Sequence, residues 1–309
     1  MLEPSNDRGH LATEKANPAS ANLESLTPLE AVDLLRQEDQ AVLSAMEGAR
    51  EALAGLVASA GETLLQGGRI YYVGAGTSGR LGFLDASECP PTFGVEPDRV
   101  QAILAGGLDA LVGPVERAED DPDAAAQEVD RRAISSKDLV IGIAAGGTTP
   151  FVHGALKRAR ERGARTALIA CVPASQVPDD YDHSVRLIVG PEVLAGSSRM
   201  KAGTATKLAL NAITTLAMVR LGKTHQGHMV DVDTQANSKL VDRGARLVSK
   251  FTGVDRTRAL ELLGAAGGHA KTAIVMGALS LDAAAARERL DATGGFLGKA
   301  LAPDGQESQ

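Results

Sequence analysis

The sequence predicts an α/β protein. Its centre is a five-stranded parallel sheet flanked by helices, with helices ahead of the first strand and a small helical subdomain after the last. Three observations carry this. Five short β-type runs occur, at Arg69–Val73, Val100–Leu104, Leu139–Ile143, Thr166–Cys171 and Val185–Val189. They are apolar along their length rather than alternating, which suits strands covered on both faces. Helical patterns separate most of them, and glycine-rich turns follow the first and third.

Taken in order, residues 1–22 are polar and read as a flexible tail. The first helix is announced at Thr27-Pro28-Leu29-Glu30. Thr27 suits the cap, Pro28 the first helical position, and Glu30 the place a capping box requires. Helical spacing continues to Leu65 and stops at Gly67-Gly68, giving two helices before any strand. Pro90-Pro91 is expected to stop the helix after the first strand early. Arg199–Leu221 reads as one long helix ended by Gly222. Thr257–Leu263 and His269–Ala286 read as shorter ones around Gly267-Gly268. The expected division is a tail at 1–22, a main domain at 23–250, a helical subdomain at 251–300 and a tail at 301–309.

Composition narrows the function. Lys and Arg number 32 against 39 Asp and Glu, a net charge of −7. That is a poor footprint for nucleic acid or an anionic membrane. Eight aromatics, none of them Trp, give few platforms for stacking bases. Cys89 and Cys171 form no CxxC pair, so a reducing cytosol is the expected compartment. The N-terminus lacks a basic head and apolar run, so no signal peptide is expected. The most apolar stretch, Leu208–Leu221, holds Asn211, Thr214, Thr215 and Arg220, so no membrane span is expected. The residues point to a cytoplasmic enzyme or sugar-binding protein. Its 34 glycines exceed the usual share of about 7%.

Six of those glycines, Gly74, Gly76, Gly79, Gly146, Gly147 and Gly196, fall in three loops. Gly74-Ala75-Gly76-Thr77-Ser78-Gly79 follows a strand and opens a helix, where free amides and the helix dipole favour an anion. The spacing is also that of a dinucleotide fingerprint. Thr77 and Ser78 favour a phosphomonoester instead, and no acidic residue closes the second strand. A plain tight turn is the third reading. The second loop is Ala145-Gly146-Gly147-Thr148-Thr149-Pro150, which also reads as an ordinary turn with Thr149 as cap. In the third, Ser197 and Ser198 suit a cap for the long helix or donors to a phosphate, with Arg199 and Lys201 nearby. His225-x-x-His228-x-x-Asp231 has metal-like spacing, but Gly227 weakens a helix there. These read as surface or crevice histidines, and no metal or cofactor is expected. Cys89 has no paired His in sequence and reads as a small buried residue.

GAGTSGRLGFLDASECPPTFG at 74–94, EVLAGSSRMKAGTATK at 192–207 and MVDV at 229–232 resemble the N-acetylmuramic acid 6-phosphate etherase family. That family belongs to the sugar-isomerase (SIS) domain superfamily, and the resemblance runs from about residue 22 to 300. It implies a SIS-type, flavodoxin-like three-layer fold, a sugar-phosphate substrate and a homodimer. It also implies cleavage of the D-lactyl ether by elimination and hydration, giving N-acetylglucosamine 6-phosphate and D-lactate. Glu88 then matches the proton donor and Glu119 the second catalytic glutamate. The three loops put the expected phosphate and sugar contacts at Gly76, Thr77, Ser78, Gly146, Thr148, Thr149, Ser197, Ser198 and Lys201. Glu88, beside Cys89 and two prolines, is expected to be desolvated and so held protonated. Glu119, in a run of acids, reads from the residues alone as a solvated helix start. The second loop departs from the family's Ala-Ser-Gly-Arg-Thr-Pro-Tyr: Gly146 replaces Ser, Thr148 replaces Arg, and Phe151 replaces Tyr. The alternatives are an aldose–ketose isomerase, a non-catalytic sugar-phosphate sensor and, third, a dehydrogenase. Only the etherase would release lactate.

Overall fold

The computed structural model describes residues 7–232, 234 and 238–303. The expected tails at 1–6 and 304–309 lie outside the described residues. The chain forms two compact units, Met1–Ser87 with Asp98–Thr214, and Glu88–Pro97 with Thr215–Gln309.

The first unit holds a five-stranded sheet in the order β2-β1-β3-β4-β5, every pairing parallel. The strands are β1 (Ile70–Gly74), β2 (Val100–Leu104), β3 (Leu139–Ile143), β4 (Arg165–Ala170) and β5 (His183–Arg186). Central strands β1 and β3 are buried at every residue, which is why their sequence is apolar throughout. The expected fifth strand is displaced toward its N-terminus, because its ladder begins at His183 opposite Ala167. β1 lies between β2 and β3, so the winding direction reverses there. The loops after β1 and β3 flank this switch point at the carboxyl edge, where open α/β sheets receive ligands.

Three helices precede the sheet, α1 (Pro28–Glu38), α2 (Gln40–Gly48) and α3 (Arg50–Leu65), rather than two. The capping box is present: Thr27 accepts from the Glu30 amide and Glu30 from the Thr27 amide. Helices α4 (Gly76–Phe93), α5 (Asp109–Val112), α6 (Pro122–Arg131), α7 (Pro150–Glu161) and α8 (Lys201–Arg220) follow. Successive residues Tyr71 and Tyr72 point to opposite sheet faces. Tyr71 joins Val73, Val140 and Leu168 under Val129 of α6 and Val152 and Leu156 of α7. Tyr72 meets α4, where a Cβ at Gly82 would lie only 2.8 Å from the Tyr72 Cβ.

Two expectations fail. Pro90-Pro91 does not end α4, which continues to Phe93. Both prolines lie in its last turn, so their missing N–H groups interrupt the ladder only at its end, and Gly94 closes the helix at φ +59° with its N–H on the Pro90 carbonyl. Nor are residues 7–22 a loose tail. They form short 3-10 turns at Ala12–Glu14 and Pro18–Ser20, and Leu11 is 1% exposed within the core under α7. The Gln176 side chain accepts from the Ala12 amide at 3.0 Å. Leu11→Ala is therefore expected to cost about 2 kcal/mol in urea unfolding, as core truncations do. A flexible tail would cost nothing.

The second unit contains the last turn of α4, a two-stranded hairpin, and helices α9 (Ser238–Thr252), α10 (Arg256–Ala265), α11 (Ala270–Leu279), α12 (Ala283–Ala292) and α13 (Leu297–Leu301). The hairpin pairs β6 (Thr224–His225) with β7 (His228–Met229). The unit thus begins well before the expected boundary at 251. The helix expected over 269–286 is two helices, because Ser280 turns left-handed at φ 56° and Asp282 caps α12 through the Ala285 amide. Val248, Leu263, Ile274 and Leu290 form its core. Lys271, 7% exposed, donates to Asp231 at 2.9 Å and to the Gly295 and Gly222 carbonyls. Burial pulls its pKa down, and Asp231 opposes that. Among the described residues no helix is long and apolar enough to cross a membrane.

Candidate active site

The loop after β1 is shaped by close approach. A Cβ at Gly74 would lie 2.6 Å from the Gly79 nitrogen, and one at Gly79 would lie 2.5 Å from the Gly74 oxygen. Strand and helix touch through these two glycines. Gly76 serves differently: it has open space but φ +52°. Thr77 and Ser78 follow in the first turn of α4, both half-buried. Their hydroxyls and amides stand at the carboxyl end of β1, beside the switch point.

The loop after β3 stands on the other side of that point. Gly147 crosses at φ +72° with its N–H on the Ala144 carbonyl at 2.8 Å. Thr149 takes the N-cap position of α7 without a side-chain cap bond, and Pro150 follows at the first position. The amides of Phe151 and Val152 at that helix start precede the first helical bond, His153 N–H to Thr149 O. Gly146 and Thr148 are half-buried. A Cβ at Gly146 would meet the Thr13 Oγ1 at 3.7 Å and the Thr148 Oγ1 at 3.9 Å, both ordinary contacts. The Thr13 hydroxyl is buried with no hydrogen-bond partner among the described residues. Gly146→Ser would place an oxygen one bond beyond that Cβ. It is expected to raise stability by about 1 kcal/mol, through a satisfied buried hydroxyl and a stiffer unfolded chain. A urea midpoint that falls, at constant slope, would refute this.

The third segment holds a residue the sequence reading missed. Neither Ser197 nor Ser198 makes the α8 cap. The Glu192 carboxylate, fully buried, accepts from the Lys201 amide and the Ala202 amide, both at 2.9 Å. A carboxylate on the helix N-terminus uses the dipole that a phosphate would otherwise use. Lys201 is 3% exposed and its ammonium donates to Glu38 at 2.6 Å. That bond holds the Glu38 carboxyl below the usual glutamate range. Asn17 donates to the same Glu38 oxygen at 2.7 Å. The sequence offered no local signal for this cluster, whose members come from four separate segments. Ser197 and Ser198 are half-buried. Thr77 reaches this segment: a Cβ at Gly203 would lie 3.5 Å from its methyl and 3.4 Å from the Ser198 oxygen.

The two candidate glutamates are both exposed. For Glu88 this departs from the expected desolvation within one chain: Cys89 beside it is buried, but the glutamate itself faces solvent. The desolvated acid of α4 is Asp85, one turn earlier and 6% exposed. It accepts from Asn211 Nδ2 at 2.7 Å and from the Tyr72 hydroxyl at 3.1 Å. Burial pushes Asp85 above the usual aspartate range, against the lowering effect of Asn211, Thr214 and Tyr72. Asn211 lies on α8, so the pair ties α4 to α8. Glu119 sits on a 3-10 turn, Ala118–Asp120, entered through Arg117 at φ 61° and packed on α7. It belongs to the connection after β2, at the same carboxyl edge as the glycine loops.

His225 and His228 face each other across the β6–β7 hairpin, whose turn is Gln226-Gly227. Both rings pack on Phe251, at 5.1 and 5.7 Å between centroids. Among the described residues no group of three His, Cys, Asp or Glu could hold a metal ion.

Two family models match the chain, the glucokinase regulatory protein N-terminal SIS domain over residues 52–160 and the SIS domain over residues 122–216. A curated N-acetylmuramic acid 6-phosphate etherase from Gloeobacter violaceus is 52% identical over 295 residues, covering 96% of each chain. One from Synechocystis sp. is 50% identical over 97% of this chain and 98% of its own. One from Thermosynechococcus vestitus is 55% identical over 87% of each. Half of all positions are shared along nearly the whole length, and the five-stranded parallel sheet is consistent with the SIS-domain matches. The chain belongs to the N-acetylmuramic acid 6-phosphate etherase family.

Proposed function

We propose that this protein is a carbon–oxygen lyase that cleaves the D-lactyl ether of N-acetylmuramic acid 6-phosphate. The products are N-acetylglucosamine 6-phosphate and D-lactate. The observation that carries this is the near-full-length identity to curated etherases. The two glycine loops flanking the switch point support it, since they offer amides and hydroxyls to one phosphate.

An ether resists direct hydrolysis, so the sugar's own aldehyde supplies the activation. In the open-chain form the C1 carbonyl acidifies the C2 proton. One carboxylate removes that proton. The C3–oxygen bond breaks, and a carboxylic acid protonates the departing lactyl oxygen. Water then adds its oxygen to C3 and a proton returns to C2. The two steps need an acid and a base in opposite protonation states. Glu88 and Glu119 fill these roles, Glu88 as the proton donor. Gly76, Thr77, Ser78, Gly146, Thr148 and Thr149 hold the phosphorylated sugar, with Ser197 and Ser198 completing that wall; Lys201, expected there from the sequence, is buried on Glu38 and stands behind the wall as a support rather than a ligand. Electrons balance without a redox cofactor.

A homodimer is part of the proposal. Leu29 and Val32 of α1 and Leu43 of α2 are 72%, 59% and 69% exposed, and α8 exposes Leu216 and Val219. Leu84, also exposed, precedes Glu88 by one turn of α4. A second copy covering the exposed end of α4 at Leu84 would supply the desolvation a single chain does not give Glu88. The setting is cytoplasmic turnover of cell-wall muramate. The test is incubation with N-acetylmuramic acid 6-phosphate in ¹⁸O-water. D-lactate without label, and label at sugar C3, is the expected result. No lactate overturns the proposal.

A further inference from the structure

We propose that His153 is a positioning residue that locks the second glycine loop into the shape that receives the sugar phosphate. The proposal rests on the reading of that loop as part of the sugar-phosphate site.

His153 lies in the first turn of α7, and its ring is bonded at both nitrogens. Nε2 is 2.7 Å from the Gly147 carbonyl oxygen, and Nδ1 is 2.7 Å from the Tyr181 hydroxyl. A carbonyl only accepts, so Nε2 carries the proton. In the neutral ring Nδ1 then accepts, and Tyr181 donates to it. Burial pushes the Tyr181 phenol above its usual range, which keeps it a donor at neutral pH. Tyr181 is itself held. Its ring lies nearly parallel to His153, at 24°, and the Arg160 guanidinium sits 5.1 Å from its centroid. Arg160 is fixed in turn by Asp180, at 3.0 Å to the carboxylate and 2.6 Å to the carbonyl.

The lock acts where the loop most needs one. Gly147 is the left-handed residue, and its own N–H is tied to Ala144. With the carbonyl tied to His153, the Gly147 residue is fixed from both sides. Two adjacent glycines lose the most backbone freedom on ordering. The Thr149 side chain contributes no cap. A side chain reaching back from α7 offsets that freedom before ligand arrives, the ordinary means of preorganising a site.

The experiment compares wild type, His153→Leu and His153→Gln as full-length proteins. It measures kcat and KM for D-lactate release, the Kd for N-acetylglucosamine 6-phosphate by calorimetry, and the melting temperature. His153→Leu cannot donate, and KM and Kd are expected to rise about tenfold with kcat within about threefold. His153→Gln, whose amide can donate to Gly147, is expected to stay within about threefold of wild type. If His153→Leu lowers only the melting temperature, with KM and Kd within about twofold, the residue is merely structural and the proposal falls while the etherase reading stands. If wild type binds the sugar phosphate without releasing lactate, and His153→Leu binds it tenfold more weakly, the lock stands and the etherase reading falls. Wild type that does neither overturns both.

Discussion

Glu88→Gln is expected to slow D-lactate release by about 100- to 10,000-fold, with folding stability changed by less than about 0.5 kcal/mol. The amide keeps the shape of the side chain and its capacity to hydrogen-bond, but it cannot give a proton to the departing lactyl oxygen. A leaving alkoxide without an acid is the costliest point of the elimination, so the loss belongs in kcat rather than KM. Stability is spared because Glu88 is exposed on the last turn of α4, with no buried bond to lose. Saturating-substrate lactate assays beside urea unfolding separate the two effects. Near-normal release from Glu88→Gln would move the role of acid to another group. Glu119→Gln tests the partner role in the same way.

Why part of this protein was legible in its sequence, and part was not, follows from the range of each signal. β2 and β3 have the bounds their apolar runs suggested, because a strand buried on both faces leaves a continuous local pattern. The capping box at Thr27 is a four-residue device and was readable for the same reason. The burial of Leu11 depends on α7, far along the chain, so a polar N-terminal stretch concealed it. The α8 cap shows the same limit at closer range. Ser197 and Ser198 had the right chemistry just ahead of the helix, but the Glu192 carboxylate reached the amides first. The desolvated acid was placed one turn out, at Glu88 rather than Asp85. Tyr72 and Asn211, which surround Asp85, lie on other elements. The glycine loops needed no such partners, since close backbone approach is written in the glycines themselves.

Gly79→Ala is expected to lower kcat/KM by about 100-fold and to cost about 3 kcal/mol in stability. The added methyl would lie 2.2 Å from Leu104 Cδ1 and 2.5 Å from the Gly74 oxygen. The leucine methyl can rotate away. The Gly74 carbonyl cannot, because its oxygen accepts the Ala105 amide at 3.0 Å and β1 is paired on both sides. The first turn of α4 must therefore retreat from the strand, carrying the amides of Gly76, Thr77 and Ser78 with it. A displacement of about an ångström suffices to spoil a preorganised phosphate cradle. Gly76→Ala is the control. It meets open space, so its cost is the left-handed backbone alone, about 1 kcal/mol. Calorimetry with N-acetylglucosamine 6-phosphate and urea unfolding of both variants distinguish crowding from backbone strain. If Gly79→Ala folds and binds the sugar phosphate as wild type does, the phosphate is held elsewhere. The close contact of strand and helix would then be packing and nothing more.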